Sequence, residues 1–431
     1  MTFTEEPTAL ALSLQRRRAE LAAAWAGTEA VVLIGAGELI PRPGRADLTY
    51  PFQAHSEYLY LTDRNRPGGV LAFDPADGWT DFVAPVTAEE VLWSGAPADG
   101  GEADGEDVAG VDGWLQARAG RPLAQLGTAL PGLTPDDVRA RELRYDLNAI
   151  RRRKDGVELA RMRAAAGATA AGFAETVPRL RAGATEREIQ VELELAFLRA
   201  GADAVAYDTI VGAGADAAVL HFAPGQRRLA DGEVVLIDAG GEVRHYVSDV
   251  TRTYPIGGGF DAAHAEWHAV VRAAQLAAIE LCTVGTEWVD VHRAAGVVLA
   301  SGLTEFGLLH GDPEDLVESG AIRIFFPHGI GHLVGLGVRD AAGPLRERET
   351  GRPGLTRIDL PLEPGHVVTV EPGLYIVPAL LSDPQHCARY SGAVDFARAE
   401  AMAGFGGIRI EDNIHVTADG PENLTAAIPM L

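Results

Sequence analysis

The sequence predicts a two-domain protein of the α+β class: a smaller N-terminal α/β domain over residues 1–147, then a larger α+β domain over residues 148–431. Three observations carry this. The 431 residues exceed what one ordinary core holds, since single cores stop growing near roughly 250–300 residues. The first third alternates short apolar runs with helical stretches, the signature of α/β organisation. The remainder twice sets an amphipathic helix before a β-rich segment that carries acidic residues.

Residues 9–26 are rich in Ala, Leu and Arg and predict a helix. Residues 30–35 (AVVLIG) form a short apolar run ending in glycine, a buried strand. Residues 58–62 and 69–73 have the composition of further strands. Residues 97–112 are acidic and rich in Gly and Ala, which reads as a surface loop. Residues 143–158 contain RRRKDGVE and read as a linker entering a long Ala-rich helix. In GATERE (183–188), Thr185 and Glu188 make a capping box, and Ile189, Leu193 and Phe197 share a face until Gly201 stops the helix. Gly285-Thr286-Glu287 opens a related stretch through Val291, Val298 and Leu299, which points to an internal duplication of helix-plus-hairpin units.

Composition narrows the function classes. Hydrophobic residues make up 47% and charged residues 23%, the balance of a globular chain. A net charge of −24 offers no basic footprint for nucleic acid and disfavours anionic membranes, while leaving divalent cations welcome. No apolar run approaches the roughly 18 residues of a membrane span. The N-terminus lacks the apolar core of a signal peptide. Cys282 and Cys387 are the only cysteines, so no disulfide framework exists and cytoplasmic residence is the expectation. Lys154 is the only lysine among 37 lysines and arginines, a bias expected of a GC-rich genome.

The chemistry concentrates in the second domain. The turn Asp231-Gly232 launches an apolar strand that ends at Asp238, and after Gly240-Gly241 a second strand carries Asp249, 11 positions on (249 − 238). Then come Pro327-His328-Gly329-Ile330-Gly331-His332, an apolar strand ending at Glu371-Pro372-Gly373, and Ile408-Arg409-Ile410-Glu411-Asp412. A buried carboxylate is costly unless paired or metal-bound. Two carboxylates about 4 Å apart repel by roughly 4 kcal/mol at an effective dielectric near 20. If Asp238, Asp249, Glu371 and Glu411 converge, cations must hold them, and His332 adds a neutral nitrogen. Any one of these acids alone reads as a solvated strand end, and any one histidine as structural; five in ordered motifs do not. Oxygen-rich ligation with one imidazole suits Mn, Co, Fe or Zn. The chain has no HExxH motif.

The ordered motifs IDAG, SDVTRT, HGIGH, TVEPG and IRIED resemble those of the pita-bread metallopeptidases, in the proline-specific branch that holds aminopeptidase P and prolidase. The resemblance covers residues 150 to the end and extends loosely to the first domain, where Tyr50-Pro51-Phe52 and Tyr58-Leu59-Tyr60-Leu61-Thr62 resemble a creatinase-like N-terminal domain. It implies a pita-bread catalytic domain and two divalent metal ions, Mn foremost with Co or Zn as alternatives. It also implies a homodimer and a small peptide substrate with proline after the scissile bond. Asp249 and Glu411 would bridge the metals, Asp238 would chelate one, and His332 with Glu371 the other. A metal-bridging hydroxide would attack, Glu371 would shuttle its proton, and Asp238 would lie near the substrate amine. His221 matches a histidine that contacts the scissile carbonyl, His328 one that lines the proline pocket, and Arg409 would orient acids.

One position departs from the family pattern. After HGIGH the family reads Gly-Leu-x-Val-His-Asp, whereas this chain has Gly335-Leu336-Gly337-Val338-Arg339-Asp340. Arg339 replaces the second catalytic histidine. It cannot give up a proton, and it stands open between an oxyanion contact, a grip on a substrate carboxylate and a rim position without a role. Glu371 and Glu411 lie 40 positions apart (411 − 371), leaving room for an insertion over 377–404 that resembles bacterial prolidase. The expectation is therefore an Xaa-Pro dipeptidase. Arg42 and Arg45 are its candidate clamp for the free carboxylate, against the plain reading of each as a solvated loop residue. The alternatives are aminopeptidase P, acting on longer peptides, and a non-catalytic peptide-binding protein on the same fold.

Overall fold

The computed structural model describes residues 3–95, 104–343 and 357–430. The chain divides between Arg151 and Arg152 into two compact units, Glu5–Arg151 and one built from Arg152–Leu431. In the first, strand Val31–Gly35 pairs parallel with Leu123–Gly127 and antiparallel with Val70–Asp74. Gly78–Val83 and Glu106–Asp107 extend the sheet to five strands. The two central strands are buried at every position, which is why they read as unbroken apolar runs. Helix Pro7–Ala24 carries proline in its first turn and Glu6 as its cap.

Two expectations for this region are corrected and a third is refined. Residues 58–62 belong to helix Ser56–Thr62, not to a strand. The helix is buried on all sides, so it shows no amphipathic period, and its caps are the unusual pair His55 and Asp63. Thr62 Oγ1 donates to Tyr58 O at 2.9 Å, and the Glu57 carboxylate accepts from Gly127 N at 2.6 Å and Arg144 Nε at 2.7 Å. Of the loop expected at 97–112, residues 97–103 lie outside the described residues, and the described part is not all loop. Glu106–Asp107 pairs with the edge of the sheet, and helix Val111–Gln116 follows with Val111 buried. The linker expected at 143–158 does hold the boundary between the units and runs into the Ala-rich helix Gly156–Thr176, but it is itself helical up to Arg152. Within its charge cluster Arg151, Arg152 and Lys154 are buried, and Arg153 is exposed.

The larger unit is built twice from one plan. Helix Gly156–Thr176 packs on Glu186–Ala200, and Ala262–Glu280 packs on Trp288–Glu305. Thr185 caps the second helix as its sequence predicts, with Glu188 N 3.1 Å from Thr185 Oγ1 and the Glu188 carboxylate 2.7 Å from Thr185 N. Gly201 at φ 108° ends that helix, a backbone conformation that favours glycine. Just before each second helix the chain makes the same backbone clasp. Gly183 N donates to Leu229 O and Leu229 N to Ala184 O, and likewise Gly285 N to Leu362 O and Leu362 N to Thr286 O. Each leucine lies nine residues before an acid of the site (229 to 238, 362 to 371).

Each clasp feeds a central strand. Val234–Asp238 lies between Ile210–Ala213 and Thr251–Pro255, and Val367–Val370 pairs with Asp412–Thr417, all antiparallel. Apolar side chains of strands and helices form one core cluster around each central strand, with Val211, Val235 and Ile237 in the first and Val368, Val370 and Ile414 in the second. The insertion over 377–404 folds as short helices Pro378–Leu381, Pro384–Tyr390 and Phe396–Glu400, seated on the second of these clusters through Leu381, Val394 and Ala399. No described helix is long and apolar enough to cross a membrane.

Candidate active site

The two hairpins present their acids at one place and tie each other down. Asp238 ends the first central strand opposite Thr251, and Val370, next to Glu371, lies opposite Asp412. Asp249 N donates to Asn413 Oδ1 at 3.0 Å, and Asn413 Nδ2 returns a bond to Asp249 O at 2.7 Å. Glu411 N donates to Thr251 O at 3.0 Å, and Thr251 Oγ1 donates to Glu411 Oε2 at 2.7 Å. Each repeat thus fixes the second acid of the other.

His332 arrives from the loop Pro327–His332. Its backbone N donates to Thr369 Oγ1 at 3.0 Å, and Glu371 N reaches back to Ile330 O at 2.8 Å. Gly331 is required there, because a Cβ would lie 2.0 Å from Thr369 O. His332 Nδ1 lies 3.0 Å from the Leu333 carbonyl, which can only accept, so Nδ1 carries a proton and Nε2 is the nitrogen left to face a metal. Burial lowers the imidazole pKa, but the hydrogen bond and charge of Asp249 and the charge of Glu371 outweigh it and raise it, so in protein atoms alone Nε2 tends to hold a proton too. That Nε2 lies 3.4 Å from Asp249 Oδ2 and 3.9 Å from Glu371 Oε1. Asp249, His332 and Glu411 offer ligand atoms all within 4.8 Å of one another.

Arg409 is the cation of the network. It donates to Asp238 Oδ2 at 2.6 Å, to Tyr375 Oη at 3.0 Å and to Thr251 Oγ1 at 3.0 Å. Tyr207 Oη donates to the other Asp238 oxygen at 2.6 Å. Tyr375 Oη passes a hydrogen bond to His328 Nε2 at 2.8 Å, while His328 Nδ1 donates to Gly329 O at 2.9 Å. Burial pushes the His328 imidazole down to about 3, with Arg409 adding, so it stays neutral.

One guanidinium and the His332 imidazole do not balance four acids. Burial pushes Glu411 well above the carboxylate range, and Asp249, Glu371 and Asp238 add to it. Burial also raises Glu371 to about 7 against the pull of His332 and Arg409. Asp238 rises through burial although Arg409 opposes it. Left to protein atoms alone, Glu411 and Glu371 hold protons more readily than free carboxylates do. Divalent cations replace those protons at lower cost, and the oxygen-rich donor set with one imidazole nitrogen fits them.

A cavity of about 800 Å³ opens on this cluster. All five expected ligands line it, as do His221, His328, Arg339 and Arg409. His221 and Arg339 stand exposed on its wall. Arg42 and Arg45 do not line it. They lie on the hairpin Pro41–Arg42 and Arg45–Thr49 of the first unit, where Arg42 Nε donates to Thr49 O at 3.0 Å. The residues that sequence reasoning missed are Tyr207, Thr251, Tyr375, Asn413 and Arg357. The first four act through partners distant in sequence. Arg357 lines the cavity with its guanidinium held below the usual range by burial and then by Arg339, while Glu371 opposes.

Residues 160–418 match metallopeptidase family M24, and residues 14–117 match the aminopeptidase P N-terminal domain. Xaa-Pro aminopeptidase 1 of Streptomyces coelicolor is 35% identical over 453 aligned residues, covering 98% of this chain and 86% of its own. A probable Xaa-Pro aminopeptidase of Botryotinia fuckeliana is 32% identical, covering 89% of this chain and 86% of its own. Among solved structures, proline aminopeptidase P II from Yersinia pestis matches with a TM-score of 0.79 at 31% identity, over 97% of each chain. Zinc-substituted Escherichia coli aminopeptidase P in complex with product matches with a TM-score of 0.79 at 29% identity, over 97% of this chain and 96% of that one. The chain belongs to metallopeptidase family M24, with a pita-bread domain preceded by an N-terminal domain of the aminopeptidase P type.

Proposed function

We propose that the protein is an Xaa-Pro aminopeptidase, a metal-dependent enzyme that releases the residue in front of proline from peptides longer than two residues. The observation that carries this is the cavity of about 800 Å³ that ends on Asp238, Asp249, His332, Glu371 and Glu411. The similarity to Xaa-Pro aminopeptidases over nearly the whole chain supports the aminopeptidase over the dipeptidase expected from the insertion. The insertion itself contributes no residue to the cavity wall, so it gives a dipeptide pocket no closure.

Asp238, Asp249, His332, Glu371 and Glu411 would hold two divalent ions, manganese being the expected metal. When bound, the ions supply Lewis acidity and lower the pKa of water toward neutrality. Glu371 takes the proton from the attacking water and delivers it to the leaving proline nitrogen. Neutral His328, oriented by Tyr375, lines the proline side. His221 on the exposed wall contacts the scissile carbonyl. Arg339, unable to donate its proton, faces developing or carboxylate negative charge. The substrate amine lies toward Asp238.

A second reading, the Xaa-Pro dipeptidase, is favoured by one observation: Arg339 and Arg357 stand in the same cavity close enough to repel, as a carboxylate clamp would require. Manganese-reconstituted enzyme assayed on Ala-Pro-Ala and on Ala-Pro, with and without chelator, separates these. Chelator-sensitive cleavage of the tripeptide supports the aminopeptidase. Cleavage of the dipeptide alone moves the assignment to a prolidase, and metal binding without cleavage of either withdraws catalysis. Metal analysis of the purified protein and sedimentation test the manganese and homodimer proposals.

A further inference from the structure

Lys154 is the only lysine among the chain's 37 lysines and arginines, and its side chain is fully buried. Its Nζ lies 2.9 Å from Asp340 Oδ2, whose side chain is buried as well. The surroundings leave no slack. A Cβ on Gly335 would lie 2.3 Å from Lys154 Cε, 2.6 Å from Asp340 Oδ2 and 3.0 Å from Lys154 Nζ. Every other cationic position uses arginine. Here the ammonium stem runs against the bare face of Gly335, and arginine's planar fork is wider than that stem.

Both ends of this pair are tied to the site. Lys154 N donates to Gly365 O at 2.8 Å, in the turn that launches the strand leading to Glu371. Asp340 N donates to Leu333 O at 2.9 Å, beside His332. Asp340 directly follows Arg339, and both Val338 and Arg339 line the cavity. The loop from Leu333 to Asp340 therefore presents Arg339 from an anchor whose far side is Lys154.

We propose that Lys154 is a positioning residue that, through Asp340, sets the Arg339 guanidinium against the substrate. The proposal rests on the reading above in which Arg339 meets the substrate. A buried ammonium–carboxylate pair serves this better than a surface pair, because it lacks competing water and has one geometry.

The test uses the full-length, metal-loaded enzyme on Ala-Pro-Ala, comparing R339Q, K154M, D340N, K154R and the double variant K154M/R339Q. R339Q changes kcat/KM and sets a characteristic split between kcat and KM. K154M and D340N reproduce that split at unchanged metal content, and K154R does not rescue it. The double variant falls no further than the worse single one, a coupling of about 3- to 100-fold. Additive losses in the double variant, or a K154M enzyme with wild-type kinetics, overturn the positioning role while leaving Arg339 its own. An R339Q enzyme with wild-type kinetics removes the reading of Arg339 and this proposal with it. D340N carries the test where K154M fails to fold. Independently, an amine-acylating reagent labels only the N-terminal amine of the native enzyme and gains one site on unfolding. A second label on the native enzyme contradicts the buried pair.

Discussion

Replacing Arg409 with methionine tests the electrostatic account of the site most directly. Arg409 is buried and spends its guanidinium on Asp238, Tyr375 and Thr251, at 2.6, 3.0 and 3.0 Å. Methionine approximates the stem and removes the charge. Without metal, Asp238 then keeps only the Tyr207 hydrogen bond among its described side-chain partners, and Thr251 loses the donor behind its bond to Glu411. Removing one partner of a buried, hydrogen-bonded pair costs about 3–5 kcal/mol. The expected loss is of that size in chelator-treated protein near neutral pH, read by urea unfolding. In manganese-saturated protein the loss is smaller, because bound cations restore the positive charge. R409K restores the charge without the three-way fork and recovers only part of the loss. A metal-free R409M protein within about 1 kcal/mol of wild type would refute the reasoning that this guanidinium offsets the carboxylates.

Three further outcomes follow from the same geometry. Burial pushes the His366 imidazole down to about 3, with Lys154, Arg152 and Arg153 adding, and burial pushes His292 down to about 4, with Arg323 adding. Both are neutral in the folded protein, while the unfolded chain protonates them near 6.5. Unfolding therefore takes up protons, and stability falls by roughly 2.7 kcal/mol per pH unit for the pair as pH drops from about 6 to 4. Urea midpoints across that window, compared with H366Q, check it; an unchanged slope in H366Q is the contrary result. G331A places a Cβ 2.0 Å from Thr369 O and displaces His332, so metal content and activity fall together; an active, fully loaded G331A protein contradicts that close approach. Removing metal with chelator lowers the unfolding midpoint, and adding manganese at about 100 times its Kd restores roughly 2.7 kcal/mol; identical midpoints with and without metal would contradict the fit of the site.

What the sequence discloses follows from the range of each interaction. The Thr185–Glu188 capping box and the Gly201 stop are local, and both are visible as letters a few positions apart. The carboxylates at strand ends are visible because apolar runs that close on acid are costly without a partner. Helix Ser56–Thr62 is not legible, because burial on all faces erases the period that separates helix from strand. The charge cluster before residue 155 reads only as a linker, and nothing local discloses that the fold supplies Asp340, far along the chain, to Lys154. Asn413 and Thr251 are invisible for the same reason. Asn413 meets Asp249 across 164 positions, and Thr251 meets Glu411 across 160.

The duplication explains why these long-range partners exist. Each repeat ends its central strand on one acid and carries a second beside it, so one repeat alone exposes two carboxylates with nothing to hold them. Bringing the repeats together places four acids in one buried spot, a net cost in protein atoms alone. The reciprocal bonds of Asn413 to Asp249 and Thr251 to Glu411 align the acids, yet they cancel no charge. Arg409 cancels one. The remaining deficit is what divalent cations relieve, so the stability of the larger unit and its capacity for chemistry draw on the same ions.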